Sequence, residues 1–316
     1  MASDSLLLPW DSLLFALLAA TSFAALDLSQ KWAARYAVPT PLAFLTLRLL
    51  AGAILSPLLL LLPGALNGQA VPVLPLVGLV LFNLLGNILY VICVYRADIS
   101  VLGSLWPLKN AYLPLLVFLL PPHAVFPLEA YGLVAVATLG ALLISWNGRQ
   151  KFQAIKERPV FLMALVTVPL FALSDYFFQQ VVRTIGSPLT TVLVAWSLAA
   201  LVAPVAIAHE QTRKNITKSL KSGRGVIGAL LTGIFLVLGV VCIGQAFKCC
   251  GARGLVLVNV YAMLSGVILL LVNALLPGWL DREARSVYPV RFAGALLLIA
   301  AAASLKRIEA WLLQHS

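Results

Sequence analysis

Residues 23–48 read FAALDLSQKWAARYAVPTPLAFLTLR, and residues 171–195 read FALSDYFFQQVVRTIGSPLTTVLVA. A shift of 148 positions lays Phe23, Ala24, Asp27 and Arg35 on Phe171, Ala172, Asp175 and Arg183. With one residue dropped from the intervening loop, Pro41, Leu42 and Pro57 fall on Pro188, Leu189 and Pro204. Working outward, each half of the chain, 1–150 and 151–316, carries five apolar stretches. Two copies of an odd number of membrane-crossing helices must run in opposite directions through the bilayer. Inverted repeats of this kind recur in secondary transporters, where the substrate site lies between the repeats near the bilayer midplane.

Composition points the same way. Of 316 residues, 62% are hydrophobic and 10% charged, whereas a soluble domain carries roughly a quarter charged residues. Ten stretches match the thickness of the hydrocarbon core: 12–30, 41–62, 73–95, 99–120, 128–146, 160–182, 188–208, 225–247, 254–276 and 288–306. They are too long for barrel strands and lack strand alternation, which leaves helices as the spanning form. The expected fold is therefore an all-α integral membrane protein of ten transmembrane helices in two inverted five-helix repeats. The opening MASDSLLLPWDSLL has no basic leader and reads as part of a first helix rather than a removable signal.

The formal charge of +11 does not imply a nucleic-acid partner. Lys and Arg gather in two loops, RQKFQAIKER and EQTRKNITKSLKSGR, which lack the aromatic interleaving that base stacking would need. Fifteen of the 22 basic residues fall on one side of the expected spans and five on the other, with Arg48 and Lys109 inside spans. That bias sets orientation and places both termini on the non-cytoplasmic side, as in a bacterial inner-membrane protein. The basic loops would then lie near anionic lipid headgroups. The Asn215-Ile216-Thr217 sequon would face the cytoplasm, away from any glycosylation machinery.

Polar groups inside a bilayer are costly and call for a role. Asp27, Lys31 and Arg35 form a stripe at helical spacing, matched by Asp175, Gln179 and Arg183. Each Asp is either half of an ion pair or a coupling or gating carboxylate. Arg48 lies about 10 Å into its span from the loop, as a partner for Asp27 or as an anion-binding group; Ala195 occupies the equivalent place in the second half. Lys109, inside SLWPLKNAYLP, is deep enough that about 3 kcal/mol opposes its insertion. It should face a wet cavity or a carboxylate, Asp175 being the candidate. Trp106 and Asn110 share one face of that helix, and Pro107 and Pro114 loosen it. In this alignment Tyr261 takes the place of Lys109 in the second half. Asn83, Asn87 and Tyr90 make a polar edge, and Tyr176, Tyr261 and Ser265 fit a cavity between the halves.

Other chemistry is unsupported. Cys93, Cys242, Cys249 and Cys250 include no CxxC pair, and His123, His209 and His315 are peripheral, so neither a metal nor a cofactor is expected. No nucleophile elbow, HExxH helix, Walker lysine or Gly-rich dinucleotide loop occurs, and an enzyme is not expected. Gly86, Gly103, Gly233, Gly239 and Gly266 read as sites of close helix packing.

Taken together, Lys31, the Pro41-Leu42 helix start, Arg48, the Ser187-Pro188-Leu189 start and ISVLGSLWPL with Pro107 resemble the ten-helix, EamA-like branch of the drug/metabolite transporter superfamily. The resemblance covers nearly the whole chain. It departs at the ends of spans four and nine, where Leu120-Pro121-Pro122 and Leu276-Pro277-Gly278 replace the family's glutamates, and around Ala20 and Thr21, where smaller residues replace a tryptophan. The resemblance implies alternating access, with helices one, three, four, six, eight and nine around the cavity and helices five and ten outside it.

The expected activity is export or exchange of a small polar organic solute, such as an amino acid or related carboxylate. Lys109 and Arg48 favour an anion; Asp175 and Asp27 could offset them and leave a neutral site suited to a zwitterion. The expected partners are that solute and the surrounding lipid. Two further readings stay open: transport of a phosphorylated or lipid-linked substrate, and a membrane receptor or enzyme that transports nothing.

Overall fold

The apolar stretches fold as helices because each must satisfy its own backbone groups in lipid. The structure, a computed structural model, describes residues 10–66, 68–96, 106–121, 128–144, 146, 161–248, 254–275 and 287–314. Among these residues twelve α-helices follow in order. The first half holds α1 (Trp10–Tyr36), α2 (Pro41–Leu55, continued as a 3-10 turn over Ser56–Leu61), α3 (Val73–Arg96), α4 (Lys109–Leu119, entered through a 3-10 turn at Trp106–Leu108) and α5 (Leu128–Ile144). The second half holds α6 (Val168–Ile185, entered through a π turn at Met163–Thr167), α7 (Ser187–Ala208), α8 (Glu210–Lys221) and α9 (Gly223–Lys248). It ends with α10 (Gly254–Ala262), α11 (Leu264–Leu275) and α12 (Tyr288–Gln314).

Among the described residues no strand occurs, and seven helices are long and apolar enough to cross a membrane. Three shorter apolar helices accompany them, at Lys109–Leu119, Tyr131–Ile144 and Tyr288–Ser304. This is an all-α, multi-pass membrane protein.

Proline and glycine set the breaks. Pro41 and Pro188 occupy first-turn positions of α2 and α7, where a missing N–H leaves nothing unsatisfied. Gly186, at φ +85, turns the chain between α6 and α7. Pro169 has no N–H to donate, and the preceding turn widens to π spacing, with the Val168 N–H reaching the Met163 carbonyl. In that spacing Pro169 would be the donor to the Ala164 carbonyl. The Tyr112 hydroxyl on α4 donates to it instead, at 3.2 Å.

α1 packs along α9, α3 along α6, α5 along α12, and α2 lies against α7 and α9. Small residues make the close approaches. A Cβ on Gly140 of α5 would lie 2.7 Å from the backbone N of Leu298 on α12, and Gly294 in turn faces the backbone of Gly140 and Ile144. Gly233 fits against Ala51 and Gly239 against the Phe23 ring, and Gly86 leaves room for Phe171. Gly266 is not tightly packed, its nearest neighbour being Ile144 at 3.8 Å. Gly103 lies outside the described residues.

Two stretches differ from expectation. The basic segment after α7, expected as a loop, contains the amphipathic helix α8. The ring of His209 caps it by accepting from the Thr212 N–H. Its inner stripe is fixed by bonds from Asn215 to the Thr40 hydroxyl and from Ser219 to the Ala37 carbonyl, so the sequon's Asn215 is held against the α1–α2 turn. The ninth expected span is present as one of the seven, over Gly254–Val272, but a turn at Met263 divides it into α10 and α11.

Candidate functional site

The site grows from two matching stripes. On α1, Phe23, Leu26, Asp27 and Gln30 face one central cavity; on α6, Phe171, Ser174, Asp175 and Phe178 do so at the same spacing. Positions i, i+3, i+4 and i+7 share one helix face. The cavity has a volume of about 270 Å³. Arg48 enters it from α2, Asn83, Asn87 and Tyr90 from α3, and Trp106 and Lys109 from the start of α4. Asn259 of α10, Met263 at the break, and Ser265 and Gly266 of α11 complete the polar and irregular part of the wall.

Lys109 bonds directly to Asp175, with Nζ 2.7 Å from Oδ2. Both side chains are mostly buried, at 16% and 18% exposure. This answers the cost of a lysine at that depth, since a charge in a low-dielectric interior persists when it is paired.

Arg48 is only 2% exposed, and among the described residues no carboxylate lies within ion-pair distance of it. Its Nη2 donates to Asn87 Oδ1. Asn87 Nδ2 donates to the side-chain and backbone oxygens of Asn83, at 2.6 and 2.8 Å. Asn83 Nδ2 in turn donates to the Ser174 hydroxyl at 3.1 Å. A polar chain thus runs from α2 across α3 to α6, one residue short of Asp175. Arg48 Nε has no protein partner. Asp27 accepts from the Tyr90 hydroxyl at 3.4 Å. Of the two readings of Arg48, the direct pair with Asp27 is not formed; the asparagine edge of α3 takes the guanidinium.

An aromatic cluster closes one flank. The Trp106 ring lies 5.2 Å from Tyr90 and 5.0 Å from Phe171, and Tyr90 meets Phe171 edge-on at 6.5 Å. Such tilted contacts suit the ring quadrupoles and hold the side chains in fixed orientations.

Of the residues expected at the site, Asp27, Arg48, Asn83, Asn87, Tyr90, Trp106, Lys109, Asp175 and Ser265 line the cavity. Three expected there do not. Asn110 is fully buried and donates to the Met263 sulfur at 3.0 Å, bracing the α10–α11 break from behind. The Tyr176 hydroxyl reaches the Pro121 carbonyl at 2.5 Å, at the end of α4. The Tyr261 hydroxyl donates to the Ala302 carbonyl on α12 at 2.9 Å. Each tyrosine spends its hydroxyl on a backbone carbonyl of a neighbouring segment. With Tyr261 turned outward, Asn259 and Ala262 are the α10 residues that face the cavity. That spacing of three matches Trp106 and Lys109 and moves the earlier alignment by one residue.

Several lining residues carried no signal in the sequence. Gln30 and Ser174 are two of them. The kink at Met263 follows neither glycine nor proline. The expected ring of six lining helices is also too narrow. α2 adds Arg48, Leu49 and Gly52; α7 adds Thr191, Val194, Ala195 and Leu198; α5 adds Ala141 and Ile144. Among the described residues no group of His, Cys, Asp and Glu could hold a metal ion. Cys249, Cys250, His123 and His315 lie outside the described residues.

No family model and no curated protein sequence matches the chain. Several solved structures match, among them a crystal structure that superposes with a TM-score of 0.69 over 95% of this chain and 98% of its own, at 17% identity. The likeness is one of fold.

Proposed function

We propose that this protein is a secondary transporter of the drug/metabolite type, moving a small zwitterionic solute of amino-acid size by alternating access around the central cavity. One observation carries the reading: among the described residues the cavity holds two cations and two carboxylates, and of these only Lys109 and Asp175 are bonded to each other. Arg48 and Asp27 remain as separate opposite charges on the same wall. A buried guanidinium with an unpartnered Nε–H suits a solute carboxylate, which such a group binds as a planar fork. The Arg48 cation and the Asp27 anion balance, so a solute with no net charge leaves the filled cavity neutral.

Ten spans in inverted repeats fit the packing. Exchanging the halves turns the α1–α9 contact into the α6–α3 contact and returns α2–α7 and α5–α12 to themselves. The stripes on α1 and α6 face one cavity at equal spacing. Broken helices beside that cavity are a common feature of such transporters, since freed backbone groups are tolerated where they line it. The sidedness read from basic residues agrees with three contacts. Tyr95 reaches Val38, Asn215 reaches Thr40, and Arg291 reaches the Trp146 carbonyl, each joining segments assigned to the cytoplasmic side.

The test is counterflow of radiolabelled amino acids in proteoliposomes. Saturable uptake is expected for the intact protein, and Arg48→Met should reduce it at least tenfold while the protein still inserts. Absence of saturable counterflow across a panel of amino acids and simple carboxylates overturns the proposal.

A further inference from the structure

Arg48 accounts for one end of a zwitterion. The opposite end needs oxygen acceptors, and the cavity wall offers three, two without a partner and a carboxylate with one long bond. Gln30 on α1 and Asn259 on α10 are each 1% exposed, and both face the cavity. Gln30 Oε1 and Asn259 Oδ1 have no hydrogen-bond partner in the protein. The Asn259 amide is fixed in this sense, because its Nδ2 donates to the Leu255 carbonyl at 2.9 Å. Turning it over would set oxygen against oxygen. Asp27 lies one turn from Gln30 on the same face of α1, and its bond from Tyr90 is a long one, at 3.4 Å. α1 packs against both α10 and α11, so the three acceptors belong to one side of the cavity.

Buried polar atoms in native proteins are nearly always satisfied, and those that are not need an occupant. An orphaned carbonyl in a membrane interior is especially unfavourable. Two such oxygens beside a carboxylate make a site that attracts donors or positive charge and repels anions. Arg48 and Lys109, which supply positive charge, are held by Asn87 and Asp175.

We propose that Asp27, Gln30 and Asn259 form a cation-accepting subsite of the cavity, which takes the ammonium group of the transported solute or a monovalent metal cation that travels with it. The inference rests on the transporter reading and adds to it the residues that read the positive end. It also gives the solute a direction in the cavity, with its carboxylate toward α2 and its ammonium toward the α1–α10 wall.

The test is a thermal-shift titration of the full-length protein in detergent with four probes: L-alanine, propylammonium chloride, choline propionate, and sodium chloride against choline chloride. A ligand that binds only the folded state raises the melting temperature with concentration. Alanine and propylammonium should stabilise the protein, and Gln30→Met and Asn259→Leu should each raise the half-maximal propylammonium concentration about tenfold, the loss of one charge-assisted hydrogen bond. The same variants should titrate with propionate as the parent does. Gln30→Glu, which keeps the acceptor, should retain propylammonium binding, and it carries the test with Gln30→Met if Asn259→Leu fails to fold. A sodium shift that choline does not reproduce, lost in the same variants, supports the subsite and identifies a metal cation as its occupant. Stabilisation by propionate without any by propylammonium or sodium overturns the subsite and leaves the transporter reading standing. So does propylammonium binding that the variants leave unchanged. No response to any probe, alanine included, overturns the subsite, while the transporter reading falls only with the counterflow panel.

Discussion

Lys109 and Asp175 are half of the charge in the cavity and already satisfy each other at 2.7 Å. Removing one member leaves the other as an uncompensated, mostly buried charge, a loss of about 3 kcal/mol. Asp175→Asn and Lys109→Met are each expected to lower the melting temperature of the detergent-solubilised protein. The double variant should recover part of that loss, since no charge is then stranded. Strictly additive losses would show that the two side chains do not interact. Arg48 behaves differently, because its partner is the neutral Asn87 and its charge is available to a solute. Its substitution should weaken transport more than stability. Both residues stood out in the sequence as cations inside apolar spans, and Lys109 was legible down to its partner. The bond from Arg48 to Asn87 was not legible. It depends on how far α2 and α3 slide past each other, which residue spacing along one helix does not reveal.

At the scale of helices, the protein uses small residues and freed carbonyls as its fasteners. Gly140 and Gly294 bring α5 and α12 into backbone contact, with no room for a Cβ on either side. Gly140→Leu should therefore abolish or sharply reduce recovery of folded protein on size-exclusion chromatography. Gly132→Ala on the same helix meets nothing within 4 Å and should be neutral or slightly stabilising, by the helix propensity of alanine, about 1 kcal/mol. Tyr112→Phe removes the hydroxyl that donates to the part-buried Ala164 carbonyl beside Pro169. A destabilisation of about 1–3 kcal/mol is expected, read as a lower melting temperature without change in helical content. The helices themselves followed from runs of apolar residues, and their starts from Pro41 and Pro188. The π turn and the break at Met263 did not, because both are settled by what neighbouring helices offer. Tyr112 supplies a hydroxyl at the first, and Asn110 braces the second.

The whole molecule is organised around one cavity that helices of both halves enclose. Its sidedness is open to direct measurement. In a background lacking the native cysteines, Lys214→Cys on α8 should react with an impermeant maleimide only from the cytoplasmic side, and Leu66→Cys only from the opposite side. Labelling of both from one side would refute the orientation read from the basic residues. By itself the sequence determined the membrane class, the positions of most helices, the duplicated stripes and the identity of the buried charges. Those features are local, since hydrocarbon thickness and the cost of buried charge act on each segment separately. Only the tertiary structure decided which charges are bonded and which stay available, that Tyr176 and Tyr261 face away, and that Gln30 and Asn259 hold unused acceptors at the cavity wall. Those outcomes depend on the rotation and register of helices distant in the chain. Helix packing sets them through the fit of small residues against large ones, and no single segment encodes them.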